Sequence, residues 1–397
     1  MRLPDAPWQH RAGMTRLLAA LGADAGETRW VGGCVRDALR GLEEGDVDLA
    51  TRIAPEDVIT RLEAAGIKAV PTGLAHGTIT AISAGTPVEI TTLRRDVSTD
   101  GRRATIAYTD DWREDAARRD FTINALSADP ASGEIFDYFG GLADLAAARV
   151  RFIGDPLERI AEDHLRILRF FRFHARFGAD KADPAALAAC AARANDLMAL
   201  SRERIADEML KLLALPDPAP TVALMIEHGI LRPALPEIDD AGALAALVAA
   251  ERACGIAADP IRRLAALLPA RPEIAADVAA RLRLSRRAAK RLVSASEATL
   301  DAPEPLAYWI GAAEAVDRIL LHGQAGPDLA ALAAWQRPRL PVGGGDLVAM
   351  GLEAGPMVAT TLQAIERDWV AAGFPGDRQA VRAMARAHVD QALRSSQ

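Results

Sequence analysis

The chain has 397 residues, 50% of them apolar and 25% charged, a balance that excludes disordered and fibrous classes. Its net charge of −7 is concentrated in residues 1–150, which hold 17 Lys+Arg and 23 Asp+Glu, so the nearly balanced remainder leaves room for a local basic patch that meets a polyanion. The longest uncharged apolar stretch, Ala241 to Ala250, is about half of a membrane span, and no apolar segment of a secretory signal follows Met1-Arg2-Leu3-Pro4-Asp5. In chain order, Thr28 to Val31 reads as a strand, broken by Gly32-Gly33 and followed by a helical turn through Arg36 to Arg40. Asp46 to Thr51 reads as a second strand and Pro55 to Ala65 as a helix with proline in its first turn. Gly77 to Ile82, Val88 to Thr92 and Ala104 to Tyr108 are further strands, and the polar stretch Val97 to Arg103 is predicted to be a mobile loop. Beyond about residue 153 the strand signal stops. Pro156 to Phe177 has the apolar repeat of one long helix, and alanine- and leucine-rich periodic segments fill most of the remainder. Prolines at 216, 218 and 220, and then Pro338, Pro341 and Gly343 to Gly345, mark linkers. The expected organisation is a mixed α/β head (1–150), a helical neck (151–215), a helical body (216–340) and a tail (341–397). Three cysteines without paired spacing (Cys34, Cys190, Cys254) argue against a disulfide frame or zinc site and for a reducing cytoplasm.

Four clusters carry chemistry. In Asp46-Val47-Asp48, residues i and i+2 of a strand face the same way, so two carboxylates point together while Val47 and Leu49 point to the core. Like charges side by side are unfavourable unless a cation sits between them, which suggests a divalent metal; a solvated turn is the plain alternative. Gly32-Gly33-Cys34-Val35-Arg36-Asp37 places a glycine pair between strand and helix, where backbone N–H groups approach a phosphate and Arg36 neutralises it. Arg118-Arg119-Asp120 forms a charge cluster beside the apolar Phe121, Ile123 and Leu126, either a surface ion-pair cluster or a set of phosphate and ribose contacts. In the neck, Arg166, Arg169, Arg172 and Arg176 recur at spacings of 3, 3 and 4, one stripe that repels itself without an anionic partner.

Gly-Gly-x-Val-Arg-Asp, Asp-x-Asp-x-x-Thr, Arg-Arg-Asp-Phe-Thr-x-Asn-Ala and Glu-Asp-x-Leu-Arg-x-Leu-Arg stand here in the order of the class II tRNA nucleotidyltransferase and poly(A) polymerase family, which the chain resembles from about residue 29 to 177. The resemblance continues through Ser201-Arg202-Glu203-Arg204-Ile205 and the tail segment Gly345 to Pro356; within the motifs, His164 departs from the proline of many members. It implies an α+β fold, a polymerase-β-like nucleotidyltransferase head followed by an all-helical neck, body and tail. It further implies Asp46 and Asp48 as ligands of Mg²⁺, Glu89 as a candidate third carboxylate, and Gly33 and Arg36 as triphosphate contacts, with Gly32 and Asp37 beside them in the nucleotide site. Arg118, Arg119 and Asp120 resemble the ribose and phosphate cluster, and Asp163 and Arg166, with Arg169 beside them, the pair that reads the incoming base.

That pairing has a chemical logic. Cytosine and adenine offer an amino donor beside an unprotonated ring nitrogen, whereas a carboxylate only accepts and a guanidinium only donates. Read as i and i+3 of one helix, Asp163 and Arg166 share a face and together match C or A. The expected activity is template-independent addition of C, C and A to a tRNA 3′ end from CTP and ATP, with no membrane and no obligatory protein partner. A poly(A) polymerase is the nearest alternative, although that branch has a basic Gly-[Lys/Arg]-[Lys/Arg]-Phe element where this chain has Pro71 to Thr78. Enzymes restricted to CC or to A addition share the head motifs and stay open. From other classes, a non-catalytic RNA-binding relative is opposed by the intact Asp46/Asp48 pair, and a dinucleotide-binding domain has one glycine pair and no Gly-x-Gly-x-x-Gly. RNA contacts are expected at Arg172 and Arg176 and at Arg283, Arg287 and Arg291, the last three at spacing 4 along a helix around Ser285.

Overall fold

A short strand, a glycine turn and a helix, beginning at Thr28, set the frame of the N-terminal half. A computed structural model describes all of the chain except residues 43–45, 101–102, 180, 299–300, 324–325, 327 and 396–397. Two compact units result, Met1–Pro236 and Glu237–Gln397.

The first unit opens with α1 (Met14–Ala20), β1 (Thr28–Val31), α2 (Gly33–Leu39), β2 (Asp48–Thr51) and α3 (Pro55–Ala64). Strands β3 (Lys68–Gly73), β4 (Thr78–Ser83), β5 (Thr86–Thr92), β6 (Arg94–Asp100) and β7 (Arg103–Tyr108) follow, then α4 (Trp112–Ala117), β8 (Ser127–Ala128), β9 (Ile135–Phe136) and α5 (Gly141–Ala146). Seven strands form one sheet in the order β3-β4-β5-β2-β1-β8-β9, and β6 and β7 form a separate ribbon. Antiparallel pairs build the large sheet except between β2 and β5, which run parallel with Asp48 opposite Glu89. The loop predicted over Val97 to Arg103 is corrected: Val97 to Asp100 belong to β6, and Arg103 starts β7, with Asp100 opposite Arg103. A two-stranded ribbon outside the main sheet needs no apolar face, so polar sequence did not disclose it; Gly101 and Arg102 lie outside the described residues.

Helices α6 (Pro156–Glu162), α7 (Arg166–Phe177), α8 (Pro184–Ala192), α9 (Arg202–Leu213) and α10 (Ala219–Glu227) complete this unit. Proline in the first turn of α6 and α8 needs no N–H partner, and Asp155 and Asp183 cap them by accepting from the Glu158 and Ala186 N–H at 3.0 Å each. The expected single helix from Pro156 to Phe177 is corrected to two, because Asp163 leaves the helical region (φ −152°, ψ 107°) and its carboxylate accepts from the Leu165 N–H at 3.1 Å. Phe121, Phe152 and Phe170 are fully buried together, with ring centroids 4.9 Å apart for Phe121–Phe152 and 5.9 Å for Phe152–Phe170. Asp120 and Arg169 each adjoin a member of this cluster in sequence, and packing of the rings brings the two charges together.

The second unit is helical among its described residues. It runs α11 (Gly242–Ala253), α12 (Pro260–Ala266), α13 (Pro272–Arg281), α14 (Arg286–Ala295), α15 (Pro303–Ile310), α16 (Ala312–His322), α17 (Leu329–Ala333), α18 (Gly344–Ala349), α19 (Pro356–Ala371) and α20 (Arg378–Ser395). Buried ion pairs knit its middle: Arg262 meets Glu251 at 2.7 Å and Asp317 at 3.0 Å. The helix expected around Ser285 is interrupted there. α13 ends at Arg281, Arg283 takes a left-handed φ of 52°, and the Ser285 hydroxyl accepts from the Ala288 N–H at 3.2 Å to start α14.

Candidate active site

At the end of β1 the chain must turn sharply into α2. Gly32 makes that turn with φ 71°, and a Cβ there would stand 2.9 Å from Nη1 of Arg119. The turn forms one wall of an open cleft of about 600 Å³. Arg36, one turn into α2, is buried at 5% exposure, donates from Nε to Asp37 at 2.7 Å and from Nη1 to the Asn124 side chain. Its guanidinium also lies 4.3 Å from the ring centroid of Phe177.

Asp46 and Asp48 line the same cleft. The strand begins only at Asp48, so Asp46 reaches the site from the preceding loop and not by strand alternation. Val47 and Leu49 are buried at 2% and 0% exposure, the core positions expected of them. Glu89 stands opposite Asp48 on β5 and is not among the lining residues. Burial, then the charges of Glu89 and Asp46, push the Asp48 carboxyl up to about 6, with Arg119 opposing. Beneath this pair Cys34 is fully buried, its Sγ directed at the carbonyls of Val31 and Asp48, and burial pushes its thiol up to about 12.

The opposite wall is arginine-rich: Arg119, Arg166, Arg169, Arg172 and Arg176 all line the cleft. The neck stripe does not rely on an outside anion, because carboxylates from other elements hold each member. Arg169 donates from Nε to Asp120 at 2.7 Å, Arg172 from Nε to Glu208 at 2.6 Å, and Arg176 pairs with Asp37 at 3.1 Å. Asp120 is buried; burial alone would raise its pKa, but Arg169 and the hydrogen bonds from Asn124 and the Phe121 N–H hold it below the usual carboxylate range. Asn124 thus links Arg36 to Asp120, giving a continuous chain from Arg176 through Asp37, Arg36, Asn124, Asp120, Arg169 and Glu208 to Arg172. Asp37, expected in the nucleotide site, lines the cleft with its carboxylate occupied by Arg36 and Arg176.

Asp163 and Arg166 both line the cleft. They do not share a helix face: Asp163 sits in the turn after α6, and Arg166 opens α7. Arg204 of α9 holds Asp163 with contacts of 3.1 and 2.8 Å. Arg166 donates from Nη1 to Glu162 and to the Arg159 carbonyl at 2.8 Å, and from Nη2 to the Arg118 carbonyl at 3.2 Å. Among the described residues no acceptor meets its Nε–H or its second Nη2–H. Arg118 is not a lining residue; its Nε is engaged by Asp115 at 2.8 Å.

Arg283, Arg287 and Arg291 belong to the second unit. The break before Ser285 removes Arg283 from the helix of the other two. Arg291 is committed inward, pairing with Asp317 at 2.6 Å and Asp259 at 2.7 Å, whereas Arg283 and Arg287 are exposed. Sequence reasoning missed Asn124, Glu208, Arg204 and Glu162 as the groups that orient the arginines and Asp163. Asn124 was visible inside a motif, but Glu208 and Arg204 needed the packing of α9 on α7.

Among the described residues no group of three or more His, Cys, Asp and Glu encloses a metal by itself. The donor set still suits a hard cation that keeps substrate oxygens as ligands: no described donor hydrogen-bonds the Asp46 or Asp48 carboxylate, and their mutual repulsion is what a divalent ion relieves.

The family model described as "Poly A polymerase head domain" matches residues 28–151, and one described as "Probable RNA and SrmB- binding site of polymerase A" matches residues 181–241. The mitochondrial CCA tRNA nucleotidyltransferase 1 of Mus musculus is 32% identical over 91% of this chain and 87% of its own length. A crystal structure of the Bacillus stearothermophilus CCA-adding enzyme in complex with CTP superposes with a TM-score of 0.74 at 28% identity, covering 96% of this chain and 98% of that one. The Thermotoga maritima CCA-adding enzyme complexed with tRNA shares the fold, with a TM-score of 0.66 at 19% identity over 96% of this chain and 94% of that one. The α+β architecture, the four ordered motifs and this likeness along nearly the whole chain agree, and the protein belongs to the family of CCA tRNA nucleotidyltransferases.

Proposed function

We propose that this protein adds C, C and A to the 3′ end of tRNA, taking CTP and ATP and releasing pyrophosphate. The observation that carries the reading is one cleft that joins the Asp46/Asp48 carboxylates to an arginine wall and to an acceptor–donor pair, Asp163 and Arg166. The family implies a divalent metal, and Mg²⁺ on Asp46 and Asp48, with Glu89 behind them, is the ion we assign. When bound, it neutralises charge on the phosphoryl oxygens and favours the attacking hydroxyl.

The protein's own side chains do the rest. Gly32 and Gly33 let phosphate oxygens come close to the backbone, and Arg36, Arg119 and Arg169 supply fixed positive charge already oriented by Asp37, Asn124 and Asp120. Asp163 accepts from the amino group of C or A, while Arg166 donates to the adjacent ring nitrogen. Uracil and guanine would set acceptor against acceptor and donor against donor, a loss of about 1–3 kcal/mol for each unpaired group. We assign contact with the RNA strand that receives the nucleotide to Arg172 and Arg176, at the far end of the stripe, which line the cleft while paired with Glu208 and Asp37. The segments 1–150, 151–215, 216–340 and 341–397 then serve as catalytic head, base-reading neck, tRNA-binding body and tail. The cytoplasm, a reducing compartment, is the setting we assign to the free thiols of Cys34, Cys190 and Cys254.

Incubation with Mg²⁺, a tRNA lacking its 3′ terminus and each labelled NTP, singly and together, tests the reading. Addition of two C from CTP alone and of a final A only with ATP present is expected. Long A tails would establish a poly(A) polymerase, and products ending at CC or starting only from CC a partial enzyme.

A further inference from the structure

The turn between α6 and α7 carries Asp163, and its position decides where the acceptor stands relative to the Arg166 donor. Arg204 grips the Asp163 carboxylate itself, and the buried Leu165 anchors the end of the turn. Between them, His164 reaches a different element. Its Nδ1 lies 3.7 Å from Oδ2 of Asp196, which sits on the 3₁₀ segment Ala194–Ala199, and Nε of Arg193 stands 2.5 Å from the same oxygen. His164 Nδ1, Arg193 Nε and Asp196 Oδ2 are shielded from solvent and lack a hydrogen bond of ordinary geometry; they are three of the seven such side-chain atoms among the described residues. The Arg193–Asp196 ion pair is closed, and the His164 imidazole stands against it beyond hydrogen-bond distance, so position 164 sets the turn against a charged pair of another element.

Arg166 has its own fixed hold, from Glu162 and the carbonyls of Arg159 and Arg118. The turn, by contrast, is tied to α7 through the Arg166 N–H on the Asp163 carbonyl at 3.0 Å and the Ile167 N–H on the His164 carbonyl at 3.2 Å. The contact at position 164 therefore bears on the turn that carries Asp163, whose carboxylate Arg204 and the Leu165 N–H also hold, and not on the Arg166 guanidinium. We infer that His164, acting through Asp196 and Arg193, is a positioning residue that sets the Asp163–Arg166 spacing and with it the discrimination of C and A over U and G. The inference rests on the reading of Asp163 and Arg166 as the base-recognition pair.

Single-turnover incorporation of each NTP into a tRNA lacking its 3′ terminus, with Mg²⁺ and the full chain, provides the test. His164→Ala and Asp196→Ala should each raise KM for CTP and ATP by about tenfold and narrow the preference over UTP and GTP, with KM for tRNA unchanged. The double variant should behave as either single one, and His164→Gln, which keeps a side-chain N–H, should recover most of the preference. Equal loss of kcat for all four nucleotides, or multiplied losses in the double variant, would reduce the cluster to a structural role and overturn the inference. Asp163→Ala separates the two layers. If it narrows the preference and His164→Ala and Asp196→Ala do not, the positioning role alone fails. If Asp163→Ala leaves the preference intact, the base-recognition reading fails and the inference with it.

Discussion

Asp48 stands where burial, Glu89 and Asp46 all oppose its charge. Burial and the two nearby carboxylates outweigh the opposing charge of Arg119, so Asp48 is not kept there for stability. Asp46→Asn or Asp48→Asn should cut nucleotide addition to less than about a tenth of wild type, more than about 1.4 kcal/mol of barrier. Removing a like charge should meanwhile leave the melting temperature unchanged or slightly higher, so rate and thermal melt measured on the same preparation separate catalysis from folding. Arg166 is a different case, because its Glu162 and carbonyl partners fix it whether or not a base is present. Arg166→Ala should weaken CTP and ATP incorporation and bring UTP and GTP closer to them; equal loss for all four nucleotides in a competition assay would assign Arg166 to phosphate.

At the level of elements, much of the cleft was legible. The strands from Thr28, Gly77 and Val88 and the helix from Pro55 follow from alternation, glycine and proline placement, and the four motifs name most of the residues that meet in the cleft. The break at Asp163 was not legible, because Ile160, Leu165, Ile167 and Leu168 keep a helical apolar spacing across it and all are buried. Nor could local pattern show that Glu208 lies between Arg169 and Arg172, since that contact spans 36 residues from Arg172. The ribbon of β6 and β7 escaped for the opposite reason: backbone pairing alone makes it. The glycine turn offers a sharp comparison. Gly32→Ala forces an alanine to φ 71° with its Cβ 2.9 Å from Arg119, whereas a Cβ at Gly33 meets its nearest atom, Nη2 of Arg36, at 3.7 Å. Gly32→Ala should lower stability by about 1–3 kcal/mol and raise KM for nucleotide, with Gly33→Ala milder on both counts in chemical denaturation and steady-state assays.

For the whole molecule, the question is how a chain of net charge −7 holds RNA. The turn and first residues of α14 expose Arg283, Arg286, Arg287 and Lys290, and no acid lies between residues 281 and 291. Replacing Arg283 and Arg287 should raise KM for tRNA, leave KM for CTP unchanged, and flatten the salt dependence of tRNA binding by about 0.7–0.9 log units per lost phosphate contact. Arg291→Ala should instead lower stability by about 1–3 kcal/mol, since Asp317, fully buried, loses a partner. The parallel pairing of β2 with β5 reaches further than the site it serves. Asp48 and Glu89 become neighbours only after the chain has passed through α3, β3 and β4 and returned. Contacts of such separation are among the slow ones to close in folding. Recovered activity during refolding is therefore a stopwatch: a pulse of labelled CTP and primer tRNA, given at successive delays after dilution from denaturant, times the moment when that crossover locks.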